Sequence, residues 1–304
     1  MRRRSSTLAV SLAAMLAACG GPDDPSPPVL DGDTWVYAAA ARRDLDLLFV
    51  VDNSGTMAGE QNALAAAFPM MLDVLAAGPD GLPNLHVGVV SSNVGAAGEA
   101  SVPGCAGQGD DGNLLVRPAC NGILGNFIVD VANGSGGRDR NYTGDLGGQF
   151  GCMAQLGTGG CGFEQHLESM FRALQPGKNP GFYRPDAALG IVIIADEDDC
   201  STELGAMFGD PNAGLTSALG PRTSFRCFEF GVSCEVGNDI PRAFGTRTGC
   251  APRVASPFMF DVSRYVDFLA GLKADPSLVS VAGILGVADG AGTVEVGPAI
   301  ENDK

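Results

Sequence analysis

The run Asp52-Asn53-Ser54-Gly55-Thr56 places one carboxylate and two hydroxyls within five residues. A turn at Gly55 would direct the Asp52 carboxylate and the Ser54 and Thr56 hydroxyls to one point. These are hard oxygen ligands, suited to Mg²⁺ or Mn²⁺ and poorly suited to copper or zinc. The plainer use of Ser54 or Thr56 is to cap the helix that follows. Thr158, in Leu156-Gly157-Thr158-Gly159-Gly160, precedes an amphipathic segment and reads equally well as a cap or turn residue. Asp196 opens the acidic run Asp196-Glu197-Asp198-Asp199 directly after an apolar stretch. Acidic runs in loops are usually solvated, but this one follows an apolar run that reads as a buried strand. Only two histidines are present, His86 and His166, and both read as packing or surface residues. With an even set of cysteines left after Cys19, no serine-histidine-acid arrangement and no thiol nucleophile can be argued.

The elements around these residues predict where they meet. Leu47-Leu48-Phe49-Val50-Val51 is a continuous apolar run, expected of a central parallel strand covered on both faces. Leu85 to Val90 and Ile191 to Ala195 match it. Asp52 and Asp196 thus follow the carboxyl ends of strands, where α/β sheets bind ligands. Helical faces recur at Leu64, Phe68, Met71, Leu72 and Leu75; at Phe163, Leu167, Met170, Phe171 and Leu174; and at Val262, Val266, Leu269 and Leu272. Pro69 predicts a bend near Phe68. The order of elements predicts an α/β fold with a doubly wound, mostly parallel central sheet flanked by helices. A weak last strand is expected at Thr293 to Val296.

Two insertions interrupt this pattern, at about 94–157 and 200–255. Between Val94 and Gly162, 19 of 69 residues are glycine, so this segment reads as loop with a short edge strand at Phe127 to Val131. The insertions hold Cys105, Cys120, Cys152 and Cys161, then Cys200, Cys227, Cys234 and Cys250. Eight cysteines in an exported chain imply disulfides, with Cys105 to Cys120 and Cys152 to Cys161 the shortest loops among many connectivities. Zinc is the competing use, but no close CxxC pair exists.

Export is expected from Arg2, Arg3 and Arg4 ahead of an apolar run, Leu8 to Ala18, too short to span a bilayer. The run ends in Leu16-Ala17-Ala18-Cys19, similar to a bacterial lipobox. It assigns 1–19 to a lipoprotein signal peptide with lipidation of Cys19, 20–43 to a proline-rich tether and 44–304 to the folded domain. Gly20 after the lipidated cysteine resembles the outer-membrane default, with the membrane face open. The chain carries a net charge of −16, and −19 without the signal arginines. Such a charge repels nucleic acid and anionic lipid, leaving the lipid anchor as the expected membrane contact.

The Asp52 to Thr56 run resembles the DxSxS or DxSxT motif of von Willebrand factor A domains, which forms the first loop of a metal-ion-dependent adhesion site. That resemblance implies that Thr158 and Asp196 complete the site from two further loops, around Mg²⁺, Mn²⁺ or Ca²⁺. It further implies that hydroxyls bind the ion directly, carboxylates act largely through water, and one position accepts an acidic group of a protein or peptide partner. The expected function is a membrane-anchored binding or adhesion module, not an enzyme. The same run also looks like the DKTGT loop of P-type ATPases and haloacid dehalogenase relatives, which would make Asp52 the nucleophile of a Mg²⁺-dependent phosphotransferase. That chemistry needs a nearby lysine, and only Lys178, Lys273 and Lys304 are present. A passive structural lipoprotein whose motif has lost its metal is the third reading.

Overall fold

A computed structural model of the chain describes residues 29–31, 34–36, 43–202, 204–236, 242–286 and 293–296. The expected signal sequence, Cys19 and Lys304 lie outside the described residues. Two units are distinguished, residues 1–42 and 43–304. In the first, β1 (Val29–Asp31) and β2 (Thr34–Val36) form an antiparallel pair within the stretch expected to be a tether. The second opens with β3 (Asp44–Val51), α1 (Ala58–Ala76), β4 (Asn84–Ser91), β5 (Ile128–Ala132), β6 (Arg138–Arg140) and α2 (Leu146–Ala154). It continues with α3 (His166–Ala173), β7 (Ala188–Ala195), α4 (Phe225–Gly231), β8 (Val232–Ser233), β9 (Gly245–Arg247) and β10 (Ala251–Pro252). α5 (Ser263–Leu272), β11 (Val279–Leu285) and β12 (Val294–Val296) end it.

Six strands make one mixed sheet in the order β11-β7-β3-β4-β5-β6. β11, β7, β3 and β4 are mutually parallel, and β5 and β6 extend the sheet antiparallel. The architecture is α/β. β3 is central, so its residues from Leu47 onward are buried on both faces, as its unbroken apolar run requires. Alternate residues separate into two cores. Leu47, Phe49 and Val51 join Leu85, Val87 and Val89 against α1 and α2, where Phe68 and Phe150 stack at 3.6 Å. Leu48 and Val50 join Ile191 and Ile193 on the opposite face, with Met170 of α3 and Tyr265 of α5. Each such buried side chain contributes roughly 1.5–3 kcal/mol.

α1 runs unbroken through Pro69, where an interruption is expected from sequence. The strand expected at Phe127 to Val131 forms one residue later as β5, and β6 takes the edge. α2 was not expected in so glycine-rich a segment. Asp145 caps it by accepting from the Gly148 N–H at 2.7 Å, and Gly151 lets it approach α1, where an added Cβ would stand 3.4 Å from the Ala65 Cβ.

Four disulfides form: Cys105–Cys161, Cys120–Cys152, Cys200–Cys227 and Cys234–Cys250. The shortest pairings, Cys105 to Cys120 and Cys152 to Cys161, are not made. Between Cys105 and Cys120 the chain lies along the sheet, Leu115 N–H donating to the Val89 carbonyl. This carries Cys120 into the core beneath α1 and α2, which Cys152 also joins. Cys105 and Cys161 stay in a third apolar cluster with Phe163, Cys200, Met207, Phe208 and Cys227, built from both insertions. Among the described residues no helix is long and apolar enough to cross a membrane.

Candidate metal-binding site

Asp52 continues the β3 to β7 ladder by one bond, its N–H donating to the Ile194 carbonyl at 2.9 Å. Its side chain is wholly buried at the carboxyl end of the sheet. Oδ1 accepts from the Ser54 N–H at 2.7 Å and from the Ser92 hydroxyl at 3.4 Å. Oδ2 has no hydrogen-bond partner. The Ser54 and Thr56 hydroxyls stand 3.4 Å apart beside it. Neither caps α1, whose N-cap position is Met57 with no side-chain cap bond, so the plainer use of these hydroxyls is not realised.

The glycine loop before α3 is fastened against this turn. Gln61 of α1 donates from Nε2 to the Asp52 and Gly157 carbonyls, both at 2.9 Å, and its Oε1 accepts from the Gly157 N–H at 3.0 Å. Gly160 N–H donates to the Asn53 carbonyl at 2.9 Å. A Cβ at Gly160 would lie 2.1 Å from Asn53 Oδ1 and 2.7 Å from its carbonyl oxygen, so only glycine permits the approach. Thr158 lies between these anchors with its side chain exposed. Asp196 directly follows β7 on the sheet edge that carries Asp52, and it too is exposed. The glycine loop thus touches the Asp52 turn and Asp196 follows the strand beside β3; Asp52 and Ser54 are buried, whereas Thr56, Thr158 and Asp196 are exposed.

Two buried residues stand near Asp52 without a site role having been read from the sequence. Glu164, between Cys161 and α3, is wholly buried, and neither of its carboxylate oxygens makes a hydrogen bond of ordinary geometry. Burial, then the charges of Glu197 and Asp52, push its pKa up to about 10. His166 opens α3, its Nε2 3.7 Å from Asp52 Oδ2 and its Nδ1 3.8 Å from Asp199 Oδ1. Asp199 also accepts from the Leu167 N–H at 3.0 Å, satisfying a free donor of the first turn. The only sequence sign of Glu164 was an acid just ahead of an amphipathic helix, a position helix ends fill routinely.

An unpaired buried carboxylate costs several kcal/mol, so the unpartnered Oδ2 of Asp52 calls for a donor or a counter-charge. Hard oxygens on Asp52, Ser54, Thr56 and Glu164 fit a divalent cation. Among the described residues no group of three or more His, Cys, Asp or Glu side chains stands ready to hold an ion, so the hydroxyls would have to complete any ligand set. The lysines that a phosphoryl site calls for are engaged with other groups: Lys178 Nζ with Asp111 at 2.6 Å, and Lys273 Nζ with the Arg184 carbonyl at 2.6 Å. A groove of about 420 Å³ opens beside the Asp52 turn, lined by Asn53, Asn93, Asp110, Arg117, Leu156 and Gly160 among others. No protein-family model matches the sequence, and no curated protein matches it significantly.

Proposed function

We propose that this protein is a divalent-cation-dependent binding module of the von Willebrand factor A type, doubly wound in topology and anchored to the bacterial outer membrane through a lipid on Cys19. The observation that supports the reading is Asp52. Its carboxylate is wholly buried at the carboxyl end of the central strand, with Oδ2 unpartnered and two hydroxyls of the same turn beside it. Asp52, Ser54 and Thr56 hold the ion, Mg²⁺ or Mn²⁺ or Ca²⁺, with Thr158 and Asp196 on the exposed rim. When bound, the ion supplies an open coordination position for an acidic group of a protein or peptide partner. The residues of the chain orient that partner: the adjoining groove, with the exposed Arg117 on its wall, receives the flanking segment.

Thermal unfolding with added Mg²⁺ and Mn²⁺ tests the proposal. A ligand at about a hundred times its dissociation constant stabilises by roughly 2.7 kcal/mol, a shift of several degrees, which chelator reverses and Asp52→Ala removes. No shift with either ion overturns the reading.

A further inference from the structure

We infer that Glu164 is a direct ligand of this cation, filling the role that the family resemblance assigns to Thr158. The inference rests on the proposed cation site and adds to it a buried acidic ligand at the start of α3.

Burial and partners carry the argument. Glu164 is fully shielded from solvent, yet both of its oxygens lack hydrogen bonds of ordinary geometry. Asp52 Oδ2 and Asn53 Oδ1 are buried and unpartnered in the same turn region. Buried side-chain polar atoms without partners are few in folded proteins, and several of them at one end of the sheet point to a group that satisfies them. The Ser92 carbonyl accepts from the residue after Glu164, and the Ser92 hydroxyl stands 3.4 Å from Asp52 Oδ1, which sets the start of α3 beside the Asp52 turn. The Nε2 of His166 is 3.7 Å from Asp52 Oδ2.

The backbone around Glu164 is held as a ligand's should be. Its carbonyl accepts from the Cys200 N–H at 2.6 Å. The next residue, Gln165, donates its N–H to the Ser92 carbonyl at 3.0 Å and its side-chain amide to the Gly95 carbonyl at 2.7 Å. Three positions before it, Cys161 is bonded to Cys105. Thr158, by contrast, is exposed on a loop of glycines. A carboxylate with two available oxygens can take an ion in bidentate fashion, which favours the larger, more flexible coordination of Ca²⁺ or Mn²⁺ over the strict octahedron of Mg²⁺.

Calorimetric titration of the whole chain with Mn²⁺ separates the possibilities, using Glu164→Gln, Thr158→Ala and Asp52→Asn, each also melted in chelator. Glutamine keeps the shape of Glu164 and removes the charge, so this variant melts in chelator no lower than the parent. Its Mn²⁺ affinity falls by roughly tenfold or more, while Thr158→Ala stays within about twofold. If Glu164→Gln binds Mn²⁺ as the parent does while Asp52→Asn does not, Glu164 is no ligand and the cation site stands without it. Lower affinity in Thr158→Ala alone gives the role back to the threonine and overturns the inference. A parent chain that takes up no Mn²⁺ removes the cation site itself, and this inference with it.

Discussion

Asp111 occupies a left-handed backbone conformation, φ 53°, which aspartate and asparagine tolerate better than most residues. Its carboxylate accepts from Lys178 at 2.6 Å and from Arg172 of α3 at 2.7 Å. Partial burial works to raise its pKa, but the hydrogen bonds and charges of Lys178 and Arg172 outweigh this and hold it below the ordinary carboxylate value. As pH falls, the unfolded chain therefore takes up this proton first. The stabilisation is complete above the ordinary carboxylate range and is lost as pH drops through the lower folded value. Asp111→Asn keeps the backbone preference and deletes the charge, so it should cost about 1 kcal/mol at neutral pH. Denaturant unfolding from neutral to acid pH checks this: the two proteins should converge in acid, and a constant gap would show that the charge is not the cause.

At the scale of elements, Gln61 spans α1 and the Gly157 to Gly160 loop. Its amide makes three hydrogen bonds, two to the loop and one to the Asp52 carbonyl, with the side chain almost fully buried. Gln61→Ala leaves buried backbone groups unpaired, which costs about 1–3 kcal/mol each when water cannot replace the lost partner. The variant should therefore melt lower and, because the loop is released from the Asp52 turn, bind Mn²⁺ more weakly. Unchanged melting with unchanged Mn²⁺ affinity would mean that water restores the bridge. On the opposite face, α5 is joined to α3 through Glu168, which accepts from Arg264 at 3.0 Å and from the Tyr265 hydroxyl at 3.2 Å. This network shares no residue with the cation cluster, so its loss should lower stability without altering metal affinity.

For the molecule as a whole, the two insertions share an apolar cluster of their own, and two disulfides run through it. Cys105–Cys161 precedes Glu164, and Cys200–Cys227 follows Asp199. The first closes a separation of 56 residues, which in the chain-entropy account stabilises by about 4 kcal/mol. Replacing both Cys105 and Cys161 by serine should lower unfolding stability by an amount of that order and weaken Mn²⁺ binding. Cys234–Cys250 closes only 16 residues, and neither cysteine contributes to the described ligand cluster. Its removal should leave Mn²⁺ affinity within about twofold. Equal losses of affinity from both replacements would argue that global stability, and not the Cys105–Cys161 link, governs the ion.

Much of the frame was legible locally. Short apolar runs rich in β-branched residues read as buried strands, so β3, β4 and β7 could be read from their residue types, and with them the edge where Asp52 and Asp196 stand. Helical spacing marked α1, α3 and α5 in the same way. The number of cysteines in the insertions implied disulfides, but pairing depends on which core each thiol enters, and Leu115 running beside β4 separates Cys105 from Cys120. Glu164 and His166 were unreadable for a related reason. Whether a carboxylate is solvated or sealed depends on residues far apart in the chain: Glu164 is buried where its carbonyl meets the Cys200 N–H and the next residue meets Ser92, and only the tertiary fold decides that.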